Sequence, residues 1–246
     1  MTTSGTQGRF VSPEEPVSQL RRVPIRECGE AMYRVDEVCP SIWWVAEHPV
    51  FSYERSKWAR LTVLQMLERA SGLLPSGMRL GLVEAWRHPG IQAAMYAASR
   101  KRIEAEFPHW TRSQITRRVN RFSAPPDPRV PPPHTTGGAV DVTLIREDGF
   151  PVDFTSPYDP FDPAGALSRA KGLGSEASSN RELLWSVMGE VGFTNYPAEW
   201  WHWSFGDPGW AYRGGHESAI YGGCAPEDAS GAAPEFTVRS APVWQP

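Results

Sequence analysis

Four residues in two stretches of this sequence bring imidazole and carboxylate groups together at short spacings. His134 and Asp141 form a His-x6-Asp pair, and Glu199 and His202 form a Glu-x-x-His pair. Two histidines and one aspartate supply three ligands for a metal ion and leave a fourth position for water, which is the ligand set of a catalytic zinc site. Glu199 would then remain as a free carboxylate beside that water.

The first pair also has a simpler explanation. Asp141 lies within a predicted strand, residues 138–145, between the apolar residues Val140 and Val142. A buried carboxylate needs a partner because an unpaired buried charge is costly. A metal ion meets that need, but a buried aspartate with a hydrogen-bonded histidine is the commoner outcome. Gly137 and Gly138 would let the loop that carries His134 fold back toward the strand.

The second pair lies in an aromatic stretch, Glu199-Trp200-Trp201-His202. In an extended strand Glu199 and His202 would face opposite ways, so a bend or bulge must intervene if both are to reach one metal. The alternative, in which both are solvent-facing polar residues, does not explain the neighbouring tryptophans. An apolar surface that excludes bulk water from a hydrated ion explains these tryptophans better.

Hydrophobic periodicity and turn residues predict the elements that position these groups. Helices are predicted at about residues 53–74, 89–106, 110–121 and 180–191, and strands at residues 78–86, 138–145 and 199–205. Residues 123–133 form a proline-rich connection, which is either a surface connector or a stiff approach to His134. Trp43 and Trp44 are interpreted as core residues, with a pocket wall as the alternative.

Charge and composition exclude several classes of protein. With 25 Lys+Arg against 28 Asp+Glu, a formal net charge of −3 and a pI near 6.1, the chain is not expected to bind nucleic acid generally. A local basic cluster is interpreted as the solvent-exposed face of a helix, and a binding patch for an anionic partner is the alternative. Its members are Arg112, Arg117, Arg118 and Arg121.

The compartment is expected to be the cytoplasm. No secretory signal and no apolar run of membrane-spanning length is visible in the sequence. An odd number of cysteines then fits reduced thiols, with a Cys28–Cys39 disulfide as the alternative. The chain is expected to divide into a flexible arm (1–20), one catalytic domain (21–206) and an irregular tail or surface wrap (207–246).

The two motifs, His134-x-x-Gly137-x-Ala139-x-Asp141 and Glu199-x-x-His202, resemble the signature of the zinc D-alanyl-D-alanine dipeptidases. This family includes the vancomycin-resistance dipeptidase and has the fold of the DD-peptidase/Hedgehog-type metallopeptidases. The resemblance extends over roughly residues 55–205. With the predicted elements it implies a single α+β domain, in which helices flank a central, mostly antiparallel sheet with a metal cleft at the sheet.

The resemblance also implies roles for individual residues. His134, Asp141 and His202 would bind one Zn²⁺ per chain, and Glu199 would be the general base that moves a proton from water to the leaving amine. Arg87 would stabilise the carbonyl oxygen as negative charge develops. Asp159 or Asp162 would receive the free ammonium of a small dipeptide substrate, with turn formation as the alternative role for both. No nucleic-acid or membrane partner is expected.

Three departures from the family pattern concern the substrate more than the metal. Pro132 replaces a serine, His88 separates Arg87 from the following proline, and residues 42–44 replace the usual N-terminal pattern. The substrate is therefore expected to be D-Ala-D-Ala or a related D-amino-acid compound. Alternatives are a zinc amidase or carboxypeptidase with a different small substrate, a non-haem Fe(II) oxygenase with the same ligand types, and a non-catalytic metal-binding relative. Glu199 favours hydrolysis over the last two.

Overall fold

Short strands and helices of the chain assemble around one mixed sheet. The computed structural model describes residues 15–46, 48, 51–121, 123–158 and 162–226. Its strands are β1 (Met32–Arg34), β2 (Trp43–Trp44), β3 (Trp58–Arg60), β4 (Met78–Glu84), β5 (Ala139–Arg146), β6 (Thr194–Asn195) and β7 (His202–Ser204). Its helices are α1 (Val17–Leu20), α2 (Val35–Val38), α3 (Leu61–Gly72), α4 (Pro89–Glu106), α5 (Arg112–Asn120), α6 (Pro163–Ala166), α7 (Ser175–Glu190) and α8 (Pro208–Gly214), with a 3₁₀ helix at Pro133–Thr136.

The main sheet has the strand order β2-β4-β5-β7-β6. Only the edge pair β2 and β4 is parallel, and the other neighbouring strands run antiparallel. A second sheet consists of β1 and β3, which are antiparallel to each other. The predicted α+β class with a mostly antiparallel sheet is therefore confirmed.

The centre of the sheet is the long pair β4 and β5. Leu82 and Val83 on β4 and Leu144 and Ile145 on β5 are all buried, so both faces of these strands are covered. The register shifts between Leu82 and Glu84, so that Glu84 lies opposite Asp141. Such a bulge turns side chains away from the regular alternation. It brings two carboxylates to the same end of the central strands.

Helices α3 and α7 cover the sheet and supply much of the core. Leu64 and Leu67 of α3 and Leu184 and Met188 of α7 are at most 1% exposed. The spacing of three and four residues within each helix puts these side chains on one face. Helix α7 begins at Ser175, five residues before the predicted start.

Helix α4 begins and ends where it was predicted. Pro89 occupies the first turn, and the His88 ring nitrogen Nδ1 accepts a hydrogen bond of 2.9 Å from Gly90 N, which caps the helix. Helix α5 begins with a capping box between Thr111 and Gln114. The two helices share a small core of their own, formed by Ile103, Ile115 and Val119.

The prediction of a helix from about residue 53 is wrong for its first part. Trp58–Arg60 is a strand that pairs with Met32–Arg34, and helix α3 starts only at Leu61. The pairing is a long-range contact that local periodicity does not reveal. Trp43 was also expected in the core, but it is 40% exposed on the edge strand β2, while Trp44 packs partly against the core.

The segment after residue 206 contains regular structure. Asp207 caps α8 through a hydrogen bond of 2.7 Å from Trp210 N, and the helix ends at Gly215, whose positive φ of 70° favours glycine. Tyr221 is 1% exposed and belongs to the main core. Residues 1–14 and 227–246 lie outside the described part, so the division into arm, domain and tail stays a prediction.

All three cysteines are free thiols, so the alternative disulfide does not form. None of the described helices has the combination of length and apolar character that a membrane crossing requires.

Candidate metal centre

The sheet and a tight turn bring the two histidines and the aspartate together. Asp141 and His202 are directly opposite each other on the antiparallel strands β5 and β7, so their side chains share one face. His134 comes from the 3₁₀ helix Pro133–Thr136, which ends at Gly137 with a φ of 69°. A Cβ atom at Gly138 would lie 2.4 Å from Phe205 O, so the chain closes here only around glycine. The predicted role of both glycines is thereby explained.

The three side chains form a compact buried cluster. Asp141 Oδ1 lies 3.3 Å from His134 Nε2 and 3.0 Å from His202 Nδ1. One ligand atom from each residue lies within 4.8 Å of the others. All three residues are at most 7% exposed. The cluster therefore has the donor set and the closeness that a metal ion with three protein ligands requires.

The hydrogen bonds of His134 show that the cluster suits a cation. Its Nδ1 lies 2.8 Å from the carbonyl oxygen of Ala85, so Nδ1 must carry a proton. In the neutral ring Nε2 then has a lone pair, which faces a carboxylate oxygen of Asp141. Either a second proton or a metal ion at Nε2 removes this repulsion. A carbonyl that holds the far nitrogen of a histidine is a usual companion of metal ligation.

The electrostatics of the cluster describe the same demand for positive charge. Burial alone would raise the pKa of Asp141, but His134 and His202 lower it well below its usual range. Burial would lower the pKa of His134, yet Asp141 raises it overall. For His202 burial prevails and the pKa is lowered. One carboxylate thus holds an imidazole proton in a place where a metal cation would serve equally well.

Glu199 lies in a tight turn rather than in the strand predicted for residues 199–205. Glu199 N donates to Tyr196 O at 3.0 Å and His202 N donates to Glu199 O at 3.2 Å, and β7 begins only at His202. This turn is the bend that the spacing required. Burial, followed by the neighbouring charge of Asp141, raises the pKa of Glu199 to about 8. A carboxylate in this environment is well suited to accept and release a proton.

Arg87 is held at the end of β4 by a set of polar side chains. Its Nε donates to Glu84 Oε1 at 2.8 Å and to Tyr53 Oη at 3.1 Å, and Nη2 donates to Glu84 Oε2. Its Nη1 donates to Gln92 Oε1 at 2.5 Å. Burial would lower the pKa of Arg87, but Glu84 and Tyr53 raise it well above its ordinary value. The guanidinium is therefore a fixed and permanent positive charge.

The backbone connects this arginine to the metal centre. Arg87 N donates to His134 O at 3.1 Å, while Ala85 O accepts from the His134 ring. The chain at and just after the end of β4 thus positions both groups. Ala85 O and Arg87 N bind His134, and Glu84 binds the arginine side chain. We call Tyr53, Glu84, Arg87 and Gln92 the arginine bracket.

The partners of Arg87 were not predicted from the sequence. Glu84 is fully buried, and a charged residue in the otherwise apolar run 80–86 was a usable signal. Tyr53 lies in a region that was predicted to be helical, and Gln92 lies in the first turn of α4. Ser204 was also not predicted as a neighbour of the cluster. Its Oγ lies 3.4 Å from His202 Nε2, a contact that depends on the position of β7.

The two aspartates expected at the substrate ammonium differ in what the structure describes. Asp162 caps α6, where its side chain accepts a hydrogen bond of 2.7 Å from Ala164 N. This is the turn-forming role that was the alternative for Asp162. Asp159 lies outside the described residues. Pro132, which replaces the family serine, is buried, and its carbonyl accepts from Thr135 N at 2.8 Å and from Thr135 Oγ1 at 2.7 Å.

Known proteins match this chain across the region of the site. The family model for D-ala-D-ala dipeptidases, peptidase family M15, matches residues 61–217. A D-alanyl-D-alanine dipeptidase of Synechocystis sp. is 28% identical over 232 residues, which cover 82% of this chain and 93% of the relative. D-alanyl-D-alanine dipeptidases of Enterococcus faecalis and Enterococcus faecium are 36% and 37% identical, each over 75 residues that cover 30% of this chain and 37% of the relative.

The matched region includes both histidines of the cluster, Asp141, Glu199 and Arg87, and it spans more than half of the chain. The chain therefore belongs to the D-ala-D-ala dipeptidase family and is a metallopeptidase.

Proposed function

We propose that the chain is a zinc-dependent dipeptidase that cleaves D-Ala-D-Ala or a closely related dipeptide. The observation that carries the proposal is the buried cluster of His134, Asp141 and His202 beside the carboxylate of Glu199. The similarity to D-alanyl-D-alanine dipeptidases supports the substrate class. Two imidazoles and a carboxylate with a separate base are the arrangement of a hydrolytic zinc site.

In this proposal each part of the site has one task. His134, Asp141 and His202 would hold the ion, and their atoms Nε2, Oδ1 and Nδ1 face one another. Bound Zn²⁺ supplies a Lewis acid that polarises a carbonyl and lowers the pKa of water. Glu199 accepts the proton of the attacking water on its carboxylate and delivers it to the nitrogen of the leaving amino acid.

Arg87 acts on the carbonyl oxygen of the substrate. Three of its N–H groups are engaged by Glu84 and Gln92, which fixes the plane of the guanidinium, and two of its five N–H groups remain for a substrate. A donor held in place before the reaction stabilises the developing negative charge without reorganisation. The substrate ammonium would meet a carboxylate, for which Asp159 is preferred because Asp162 is engaged as a helix cap.

The substrate preference has a specific reason to differ from that of the typical family member. Pro132 provides no hydroxyl, and its carbonyl is engaged by Thr135. A substrate group that a serine would bind has no such partner here. We therefore expect the chain to prefer different small D-amino-acid dipeptides or amides from those that family members with a serine at this position prefer. The expected cytoplasmic location stays a prediction from the sequence.

The test combines metal analysis with a substrate screen. The purified protein is analysed for bound metals and assayed with D,D-, L,D- and L,L-dipeptides, beside Glu199→Gln and the control Glu190→Gln on the exposed end of α7. We expect one zinc per chain, cleavage of D,D-dipeptides and a loss of about 10²- to 10⁴-fold in kcat for Glu199→Gln alone. Hydrolysis that is unchanged in Glu199→Gln would refute the proposed base.

A further inference from the structure

A small cavity lies behind Trp200, between helix α7 and strand β7. It contains about 180 Å³ of empty space, part of which is continuous with solvent, and it has room for about one water-sized occupant. The lining residues are Ser168, Arg181, Leu184, Trp185, Trp200 and Trp203. None of them has a place in the proposed hydrolysis.

Two of the lining side chains have buried donors without acceptors. Trp200 Nε1 and Trp203 Nε1 are buried and have no hydrogen-bond partner in the described part of the chain. An indole nitrogen is a donor only, and a buried donor that is left unpaired is unfavourable. Trp203 is 2% exposed, so bulk water does not satisfy its N–H group. Both indoles therefore require an acceptor that the described residues do not provide.

The cavity also borders a buried positive charge. Arg181 is 7% exposed, and among the described residues no carboxylate lies within ion-pair distance of its guanidinium. Its hydrogen bonds go to backbone carbonyls, namely those of Phe154, Gly165 and Leu167. Asp153 acts on its charge only from a distance, because the Asp153 carboxylate accepts from the backbone of residues 155 and 156. A buried cation normally has an anionic partner.

The remaining polar lining group does not supply that partner. The Ser168 hydroxyl donates to Asn195 Oδ1 and lies 3.1 Å from Tyr196 O, so its proton is engaged by residues outside the cavity lining. The polar groups that are left are two unpaired indole N–H donors and a guanidinium without a counterion. An occupant that satisfies these groups accepts hydrogen bonds, carries negative charge and is small.

We propose that this cavity binds one small monatomic anion, with the size and charge of chloride. The anion accepts hydrogen bonds from Trp200 Nε1 and Trp203 Nε1 and neutralises Arg181. Water is also of suitable size, but it carries no negative charge to neutralise the guanidinium, which contacts backbone carbonyls and, at 5.6 Å, the ring of Trp200. The proposal rests on the packing of this side of the sheet and is independent of the proposed hydrolysis.

Such an anion would stabilise the turn that carries Glu199. Trp200 follows Glu199 directly, and Asn195 Nδ2 donates to Glu199 O at 3.1 Å, to Trp200 O at 3.2 Å and to His202 O at 2.9 Å. The ring of Trp200 is also stacked on Phe154, with ring centroids 4.1 Å apart. An occupant bonded to the Trp200 indole therefore stabilises the same turn from its other side.

Bromide provides the direct structural test, because it replaces chloride and scatters anomalously. Crystals of the wild-type chain are grown or soaked in sodium bromide and measured at the bromine absorption edge. We expect an anomalous peak in the cavity, within hydrogen-bonding reach of both indole nitrogens. Peaks at the surface only, a water molecule or a carboxylate of the chain itself in the cavity would overturn the proposal.

Thermal unfolding provides a second test in solution. Chloride is titrated at constant ionic strength against a bulky organic anion, with wild type, Trp203→Phe and the control Trp185→Phe. Trp185 lines the same cavity but is 41% exposed, and its indole nitrogen is not among the buried unpaired donors. We expect Tm to rise saturably with chloride in wild type and control, as for any ligand that binds only the folded state.

Loss of one hydrogen bond to a charged group should weaken the apparent chloride affinity of Trp203→Phe by about tenfold or more. Equal responses of Trp203→Phe and wild type would overturn the proposal. If Trp203→Phe does not fold, the bromide experiment on wild type decides the question alone.

Discussion

The metal centre and the arginine bracket lie side by side at the end of β4, but they balance their charges differently. In the bracket, the carboxylate of Glu84 and the guanidinium of Arg87 neutralise each other within hydrogen-bonding distance. In the metal centre, one carboxylate faces two imidazoles, and a lone pair of His134 points at it unless a proton or cation intervenes. The bracket is complete as a folded unit, whereas the metal centre requires either a further proton or a bound cation.

The largest expected effect concerns the metal centre itself. Asp141→Asn removes the negative ligand and leaves the packing nearly unchanged, so we expect loss of bound zinc and a decrease in kcat/KM of more than about 10³-fold. Zinc content and dipeptide hydrolysis measure the two effects. A variant that retains both its zinc and its activity would show that Asp141 is only a structural acid.

Arg87→Lys should separate the bracket from the metal centre. Lysine keeps the charge but does not reproduce the planar bonds to Glu84, so we expect a decrease in kcat of about 10²-fold. Because no metal ligand changes, the zinc content should remain at one per chain. Arg79→Lys, on the opposite end of β4, is the matched control. Loss of zinc in Arg87→Lys would show that the two regions are not separable.

Glu84→Gln tests whether the stability of the bracket depends on its own ion pair. This change leaves the buried guanidinium without its counterion, so we expect a loss of about 3 kcal/mol in the free energy of unfolding. Denaturant unfolding measures it, with Glu182→Gln on the exposed face of α7 as control. If Glu84→Gln were as stable as the control, the bracket would not depend on its ion pair.

The smallest effect is a pH dependence of the metal-free protein. Burial raises the pKa of Glu199 to about 8 in the folded chain, against an ordinary value of 4.5. Between these values the folded state binds more protons than the unfolded state, so this residue makes the free energy of unfolding fall as pH rises. Glu199→Gln should remove that decrease. The whole shift corresponds to roughly 4 kcal/mol at pH 8, but Glu199 is only half-buried and solvent screens its charge, so we expect the metal-free variant to be about 1 to 2 kcal/mol more stable at pH 8.

Unfolding curves of the metal-free wild type and Glu199→Gln at pH 5 and pH 8 measure this difference. Added zinc should reduce it, because a cation favours the ionised carboxylate. A difference that is the same at both pH values would contradict the raised pKa.

Each half of the candidate metal centre could be predicted from the sequence because its spacing is local, whereas the roles of the ligands followed from the family resemblance and their meeting depends on the pairing of β5 with β7. The spacing from His134 through two glycines to Asp141 encodes a turn into a strand, and the Glu199–His202 spacing required a bend that the structure contains. The bounds of α4 also follow from a local signal, since Pro89 marks its first turn.

The arginine bracket could not be predicted because its contacts depend on long-range geometry. The bulge between Leu82 and Glu84 determines where Glu84 points, and a bulge exists only in relation to the partner strand β5. Tyr53 reaches the site from a segment whose strand β3 is fixed by pairing with β1, and so the helix predicted there begins later. The late helix α8 was missed because a short glycine-containing helix has a weak periodic signal.

The most direct test of the account is a crystal structure measured at the zinc absorption edge. We predict one anomalous peak per chain, about 2.0 to 2.2 Å from His134 Nε2, His202 Nδ1 and Asp141 Oδ1, the distances of zinc to nitrogen and oxygen ligands. The arginine bracket should keep its present hydrogen bonds. Zinc-loaded protein with no peak between these three atoms, or with the peak at other residues, would contradict the assignment of the metal centre.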